Sequence, residues 1–315
     1  MKIVQAPRAS AILYNLLAAQ RDKRAWLLPA NICPIVPITF LKAGVPFRLV
    51  DISDNSLHID LDQVADHVKT RKFGGLLYAH TYGEASTPNE FFSTLKNIAP
   101  ELLIIDDRCL CVPDLAPDVH NTSDIQLYST GYAKVIELNF GGYAFFKDRV
   151  DYESVHLPFN PRHHEVIERS YKDAINKHEK FVYEDNDWLE TEADMPAWVD
   201  YQQKIEMNLR SALEHRKLLN SVYTQRLPED IQLPHRYQTW RFNIRLKNKQ
   251  AFLDAIFLSG LFASSHYASL AGMMDDGQAP YAENLVNHVI NLFNDKHVTV
   301  SQAERICEIF SENFS

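Results

Sequence analysis

Glycine is scarce, with 10 residues in a chain of 315, under half the usual share of about 7%. Neither G-x-G-x-x-G nor G-x-x-x-x-G-K-[ST] occurs, so the glycine-rich dinucleotide and P-loop cradles lose their main support. The four cysteines, Cys33, Cys109, Cys111 and Cys307, form no C-x-x-C pair and no zinc signature, and no metal centre is expected. So few thiols suit a reducing cytoplasm. Lys plus Arg number 32 against 41 Asp plus Glu, a net charge of −9. A broad nucleic-acid footprint needs the opposite sign. The longest apolar stretch, Trp26–Leu41, is broken by Pro29, Pro34 and Pro37, so no membrane span is expected. Met1–Arg8 lacks an apolar core, and no secretory leader is expected there.

What is present is ordinary globular material: 46% hydrophobic and 23% charged residues, enough for a large buried core. The first half alternates strand-like apolar runs with helical patterns. The runs are Ala25–Leu28, Phe47–Val50, Gly75–Ala79, Leu102–Ile105, Ile125–Tyr128 and Tyr143–Phe146. Ala11–Gln20, Leu61–Thr70 and Asn89–Ile98 read as helices. This alternation predicts an α/β layer with a mostly parallel sheet. Residues 151–200 are rich in His, acidic and aromatic side chains and show little periodicity; they read as an irregular excursion. Then come a long helix over Tyr201–Tyr223, a strand over Thr239–Leu246, and helices over Gln250–Ser259, Tyr281–Phe293 and Ser301–Phe310. Ser301 and Glu304 have capping-box spacing. The chain is expected to divide into a large domain, 1–200, and a smaller α+β domain, 201–315.

Ligands of open parallel sheets bind beyond the carboxyl ends of the strands. The residues just after the predicted strands are therefore informative: His80, then Asp106-Asp107, then Ser129, then Lys134. Taken singly, the lysine reads as a solvated loop residue, the aspartates as helix caps, and the histidine as a structural one. Together they suggest a site. A lysine amine can form a Schiff base with a carbonyl. A carboxylate can hold a pyridinium nitrogen protonated. Serine at a helix N-terminus can bind phosphate. That combination describes pyridoxal phosphate.

Several segments carry a family resemblance, in order along the chain. They are Pro7-Arg8-Ala9-Ser10-Ala11-Ile12-Leu13, Leu28-Pro29-Ala30-Asn31-Ile32-Cys33-Pro34, His80-Thr81-Tyr82-Gly83 and Ile105-Asp106-Asp107. Ser129-Thr130-Gly131-Tyr132-Ala133-Lys134 with Phe140-Gly141-Gly142, and Ser265-His266-Tyr267, complete the set. In these segments the sequence resembles the DegT/DnrJ/EryC1/StrS family of sugar aminotransferases. The resemblance implies the type I pyridoxal-phosphate transferase fold of aspartate aminotransferase, with residues 1–200 as the cofactor-binding domain. It implies that Lys134 is the Schiff-base lysine and that Asp107 pairs with the pyridine nitrogen. It implies that Ser129 and Ser10, with the amides of Ser10 and Ala11, bind the phosphate. Cys33 and His80 would line the cofactor, and His266 and Tyr267 would face substrate.

The implied reaction moves an amino group from glutamate or glutamine to a keto-sugar, nucleotide-linked in the family pattern, in a cytoplasmic homodimer. Two departures stand out. Leu110 occupies the position of a family glutamine near the cofactor's 3′ oxygen, and Cys33 that of a ring-stacking aromatic. They leave open another reaction on the same scaffold, such as a dehydratase or a non-sugar transferase. The short N-terminus leaves open a non-catalytic relative. Arg236, Arg241 and Arg245 are candidates to meet a diphosphate, or else are ordinary strand-face charges.

Overall fold

The computed structural model describes residues 1–314. Its elements run β1 (Lys2–Ala6), α1 (Ala9–Ala19), β2 (Ala25–Pro29), α2 (Ile35–Lys42), β3 (Phe47–Val50), α3 (Leu61–Lys69) and β4 (Phe73–Ala79). They continue with α4 (Asn89–Ile98), β5 (Leu103–Asp107), β6 (Ile125–Ser129), β7 (Gly142–Phe146), α5 (Pro161–Lys177) and α6 (Trp198–Arg226). The chain ends with β8 (Phe242–Arg245), α7 (Lys249–Leu258), β9 (Ala263–Ser264), α8 (Pro280–His288), β10 (Val289–Leu292) and α9 (Val300–Asn313).

A seven-stranded sheet has the order β1-β7-β6-β5-β4-β2-β3. Its strands from β3 to β6 are parallel, while β7 runs antiparallel to both β6 and β1. Central strands are covered on both faces, which is why they read as unbroken apolar runs. Gly74-Gly75 inside β4 is explained by packing: a Cβ on Gly75 would overlap the Trp26 indole of neighbouring β2. Helix α3 begins where Asp60 accepts from the Asp62 and Gln63 amides at 2.9 and 3.1 Å, and it buries Val64 and Val68 one turn apart.

A second, antiparallel sheet has the order β8-β10-β9. The 29-residue α6, about 43 Å long at 1.5 Å per residue, joins two hydrophobic cores. Tyr201 and Ile205 pack with Tyr128 and Tyr143 beside the large sheet. Leu219 and Tyr223 pack with Phe242 and Ile290 at the small one. Among the described residues no helix is long and apolar enough to cross a membrane.

The structure departs from the sequence expectations in several places, among them the helix α2 within the apolar stretch Trp26–Leu41, expected as buried strand and loop. Residues 151–200 contain the 17-residue α5, entered by an Asn160 cap on the Arg162 amide with Pro161 following. The expected helix over 281–293 stops at His288, and Val289–Leu292 is the central strand of the small sheet. The capping box of α9 is Thr299 with Gln302, two residues before the expected one. Strand β1, unforeseen, pairs antiparallel with β7.

Candidate active site

Parallel strands β4, β5 and β6 end on one edge of the sheet, and register fixes what stands there: Tyr78 beside Asp106, Ala79 beside Asp107, and Asp107 beside Leu127. Successive side chains on a strand point to opposite faces. Asp106 therefore turns to the face where His80 Nε2 lies 2.6 Å from its Oδ1. Asp107 turns the other way, into a cavity of about 610 Å³, within the usual size range for small-ligand sites. Its Oδ1 accepts the Cys109 amide at 3.0 Å, and the Cys109 thiol lies beside the same carboxylate; among the described residues no other donor reaches it.

The cavity also receives Ser10, Cys33, His80, Ser129, Lys134 and Tyr267. Lys134 follows β6 on a loop held from its back. Ala133 sits at φ 57°, its amide donating to Glu137 at 2.8 Å and its carbonyl accepting the Trp240 indole N–H at 2.6 Å. The buried Arg216 donates to the Lys134 carbonyl at 3.2 Å. The backbone is thus tied down while the Lys134 amine itself has no hydrogen-bond or ion-pair partner among the described residues.

The start of α1 faces the same cavity. Among the described residues the amides of Ala9 and Ser10 have no acceptor, as the first turn of a helix must unless something caps it, and Arg8 supplies no side-chain cap. Ala11 stands differently from the expectation. Its amide donates to the Arg8 carbonyl at 3.1 Å, and the residue is fully buried outside the cavity lining. The amides offered at this end are those of Ala9 and Ser10. Ser129 lines the same cavity, its Oγ accepting from the Gly131 amide at 3.3 Å. Close packing here explains Gly141-Gly142: a Cβ on Gly142 would overlap the Ala9 backbone, and one on Gly141 the Tyr201 hydroxyl.

Cys33 and Cys109 flank the Lys134–Asp107 region. Burial pushes the Cys33 thiol up against the opposing pull of Lys134, and burial with Asp107 pushes Cys109 up further. Both remain neutral, soft lining. Burial first, then Cys33 and Asp107, raises the Tyr267 phenol, which stays a donor and stacks on Trp240 at 6.0 Å. His266 is exposed and does not line the cavity; its backbone holds Asn291 and the Tyr82 hydroxyl. His80 reaches the cavity, yet both its ring nitrogens face acceptors, Asp106 and the Glu84 carbonyl at 2.5 Å. This also commits the His58–His80–Glu84 group, the one set of described residues close enough to hold a metal. Arg241 is buried against Asp295, unavailable to a diphosphate.

Residues 151–200 supply lining that the sequence reading did not foresee: His164, Glu168 and Tyr171 from α5, then Glu190, Asp194 and Met195. Arg8 lines it too. The Asn160-Pro161 start and the Ile167, Tyr171, Ala174 spacing were the available signals for α5.

The donor set lining the cavity fits pyridoxal phosphate: a lysine amine without a partner among the described residues, a carboxylate, two helix-start amides and two serine hydroxyls. No protein-family model matches the sequence, and no curated protein matches it. Solved structures do. A DegT DnrJ EryC1 StrS aminotransferase from Brucella abortus superposes with TM-score 0.69 at 14% identity, over 99% of this chain and 86% of the other. A putative sugar aminotransferase from Streptococcus pneumoniae in its PMP form gives 0.72 at 14%, over 99% and 87%. DesI, solved in the presence of its TDP-sugar product, gives 0.73 at 14%, over 98% and 80%. The chain has the fold of the type I pyridoxal-phosphate-dependent aminotransferases.

Proposed function

We propose that this protein is a pyridoxal-phosphate-dependent aminotransferase that moves an amino group from an amino acid, glutamate or glutamine, to a keto-sugar carried on a nucleotide. The observation that carries the reading is the unpaired Lys134 amine sharing one cavity with Asp107, Ser10 and Ser129. DesI, with its TDP-sugar product, supports the substrate class. The cofactor, when bound, supplies an aldehyde for covalent capture of amines and a ring that withdraws electrons.

The chain's own residues do the rest. Asp107 would hold a proton on the ring nitrogen, its charge fixed in place by the Cys109 amide. Ser10, Ser129 and the Ala9 and Ser10 amides would bind the phosphate, aided by the α1 dipole. The Lys134 amine would hold the cofactor and then move a proton to and from the donor's α-carbon. Cys33, Cys109 and Leu110 would exclude water from the ring. We place the enzyme in the cytoplasm as a homodimer; Tyr132, 76% exposed beside the cavity, supports a partner at its mouth.

Borohydride treatment of the cofactor-loaded protein followed by peptide mapping is the test. A pyridoxyl group on the Lys134 peptide, absent in Lys134→Ala, is expected. Label on any other lysine would sink the assignment. Leu110 favours a second reading, a different reaction on this scaffold; failure of every amino acid to convert the bound cofactor to its amine form would select it.

A further inference from the structure

The cavity holds a second basic group, Arg8, whose surroundings are unusual for a surface arginine. Its Nε donates to Glu190 Oε2 at 3.2 Å, and its Nη1 lies 3.5 Å from His164 Nε2. His164 Nδ1 faces the Trp188 carbonyl at 3.3 Å. A carbonyl only accepts, so Nδ1 carries the proton and Nε2 offers Arg8 a lone pair. Burial, then the Arg8 charge, holds the His164 pKa below its ordinary value, in keeping with a neutral ring. A guanidinium has five N–H donors. Glu190 and His164 engage Nε and Nη1, and no described acceptor meets Nη2. The side chain is 41% exposed. Arg8 is thus braced on two flanks, with one end of its fork open.

The charges lining the cavity narrow what that open end can bind. Among the described lining residues the permanent cations are Arg8 and Lys134, and the carboxylates are Asp107, Glu168, Glu190 and Asp194. Every amino-acid donor carries a carboxylate on the same carbon as the amine that reacts. Lys134 is assigned to the cofactor, and the acidic side chains repel an anion. Arg8 is the cation left. Its planar fork matches a carboxylate.

We propose that Arg8 binds the α-carboxylate of the amino donor, and that Glu190 is an internal competitor for the same guanidinium, displaced or swung aside as the donor arrives. This rests on the aminotransferase reading above. A phosphate of the acceptor substrate presents similar chemistry to Arg8, so the test separates the two.

Calorimetric titration of the cofactor-loaded protein would use two unreactive probes: glutarate for a donor carboxylate and inorganic pyrophosphate for a sugar-linked diphosphate. Arg8→Gln is expected to weaken glutarate about 10- to 100-fold, the range of a charged hydrogen-bonded contact, while pyrophosphate affinity stays put. Glu190→Gln is expected to tighten glutarate by about threefold or more, as loss of a weak competing pair. In turnover, Arg8→Gln should raise the donor KM and leave the acceptor KM unchanged. The opposite signs matter, because a pair that only braces the fold would leave both probes unmoved in both variants. Unchanged glutarate binding in Arg8→Gln, or weakened pyrophosphate binding instead, overturns the proposal. Borohydride labelling of Lys134, run in parallel, keeps the two claims apart. Labelled protein whose glutarate affinity ignores Arg8 refutes this proposal alone, whereas unlabelled wild-type protein refutes the function beneath it.

Discussion

Replacing Gly141 with alanine tests how the lysine loop is held. Gly141 sits at φ +92°, and a Cβ there would overlap the Tyr201 hydroxyl and crowd Thr130 Oγ1. Those two oxygens are 2.5 Å apart and hydrogen-bonded, while the Gly141 amide donates to the Pro7 carbonyl at 2.6 Å. The backbone therefore has no slack toward α1, and Tyr201 is fully buried. Positive φ costs a non-glycine residue about 1–2 kcal/mol, and overpacking about 1–3 kcal/mol more. A loss of about 3 kcal/mol follows. With an unfolding entropy of about 2.1 cal/mol/K per residue, the melting point of this chain should fall by about 5 °C. Urea unfolding of Gly141→Ala, Tyr201→Phe and the double variant is the assay. Tyr201→Phe alone forfeits one hydrogen bond, about 1 kcal/mol. In the double variant the hydroxyl that overlaps the new methyl is gone, so the combined loss should fall short of the sum by at least about 1 kcal/mol. Strict additivity, or a Gly141→Ala cost below about 0.5 kcal/mol, would show that the loop does not press on α6.

Two further outcomes are expected. Arg241 is 2% exposed, with its guanidinium 4.8 and 4.0 Å from the Trp240 and Phe293 ring centroids, and is paired with Asp295. Asp295→Ala should cost about 3–5 kcal/mol in urea unfolding by stranding that charge, while Glu304→Ala, which breaks the more exposed pair with Arg226, should cost under about 1 kcal/mol; equal losses would contradict the burial argument. Burial, then the charges of His80 and Arg236, lowers the His58 pKa to about 3. The unfolded chain takes up that proton near the ordinary value of about 6.5, so it binds more protons than the native state between these pH values. Stability should fall as pH drops through the window, by up to about 1.4 kcal/mol per pH unit from this group. His58→Gln should flatten the slope between pH 6 and 4 by an order of about 1 kcal/mol per unit, and an unchanged slope would rule out a buried neutral His58.

The parts of the fold that could be read in the sequence were those where one local pattern decides. Strands β4, β5 and β6 are apolar runs buried on both faces, bounded by polar rim residues, and no helix period competes with them. Val289–Leu292 offered no such choice. Four consecutive buried residues continue a helix or form a strand equally well until pairing partners on both sides, β8 and β9, select the strand. The cap of α9 was ambiguous for a similar reason, since Thr299-x-x-Gln302 and Ser301-x-x-Glu304 share a spacing. Val298, just before the cap, buries in the same core as Ala303, and this staple-like contact favours the earlier start. Arg8 and Glu190 lie 182 residues apart, and no spacing rule reaches that far. Helix α5 was hidden by its charged outer face, although it buries Ile167, Tyr171 and Ala174 on one side.

The Asp106-Asp107 pair shows how little of a site is residue type and how much is strand parity. Both carboxylates are buried, yet their environments differ. Asp106 is surrounded by donors: His80 at 2.6 Å, Asn121 at 2.6 Å, Thr87 at 3.1 Å and Arg108 at 3.4 Å. Burial pushes its pKa up, but His80, Arg108 and Asn121 outweigh that and hold it below the ordinary value. Its acceptor capacity is spent within the protein, leaving nothing for a ligand. Asp107, one residue on and therefore on the other face, accepts one amide and keeps an oxygen for the cavity. Shifting β5 by a single residue against β4 would carry Asp106 to the cavity face and bring Ile105 to His80. The network around Asp106 opposes that slip, because the His80 imidazole would then face an apolar neighbour and lose its hydrogen-bond partner. On this reasoning Asp106 is a positioning residue: by fixing the register of β5 it decides which carboxylate reaches the cavity.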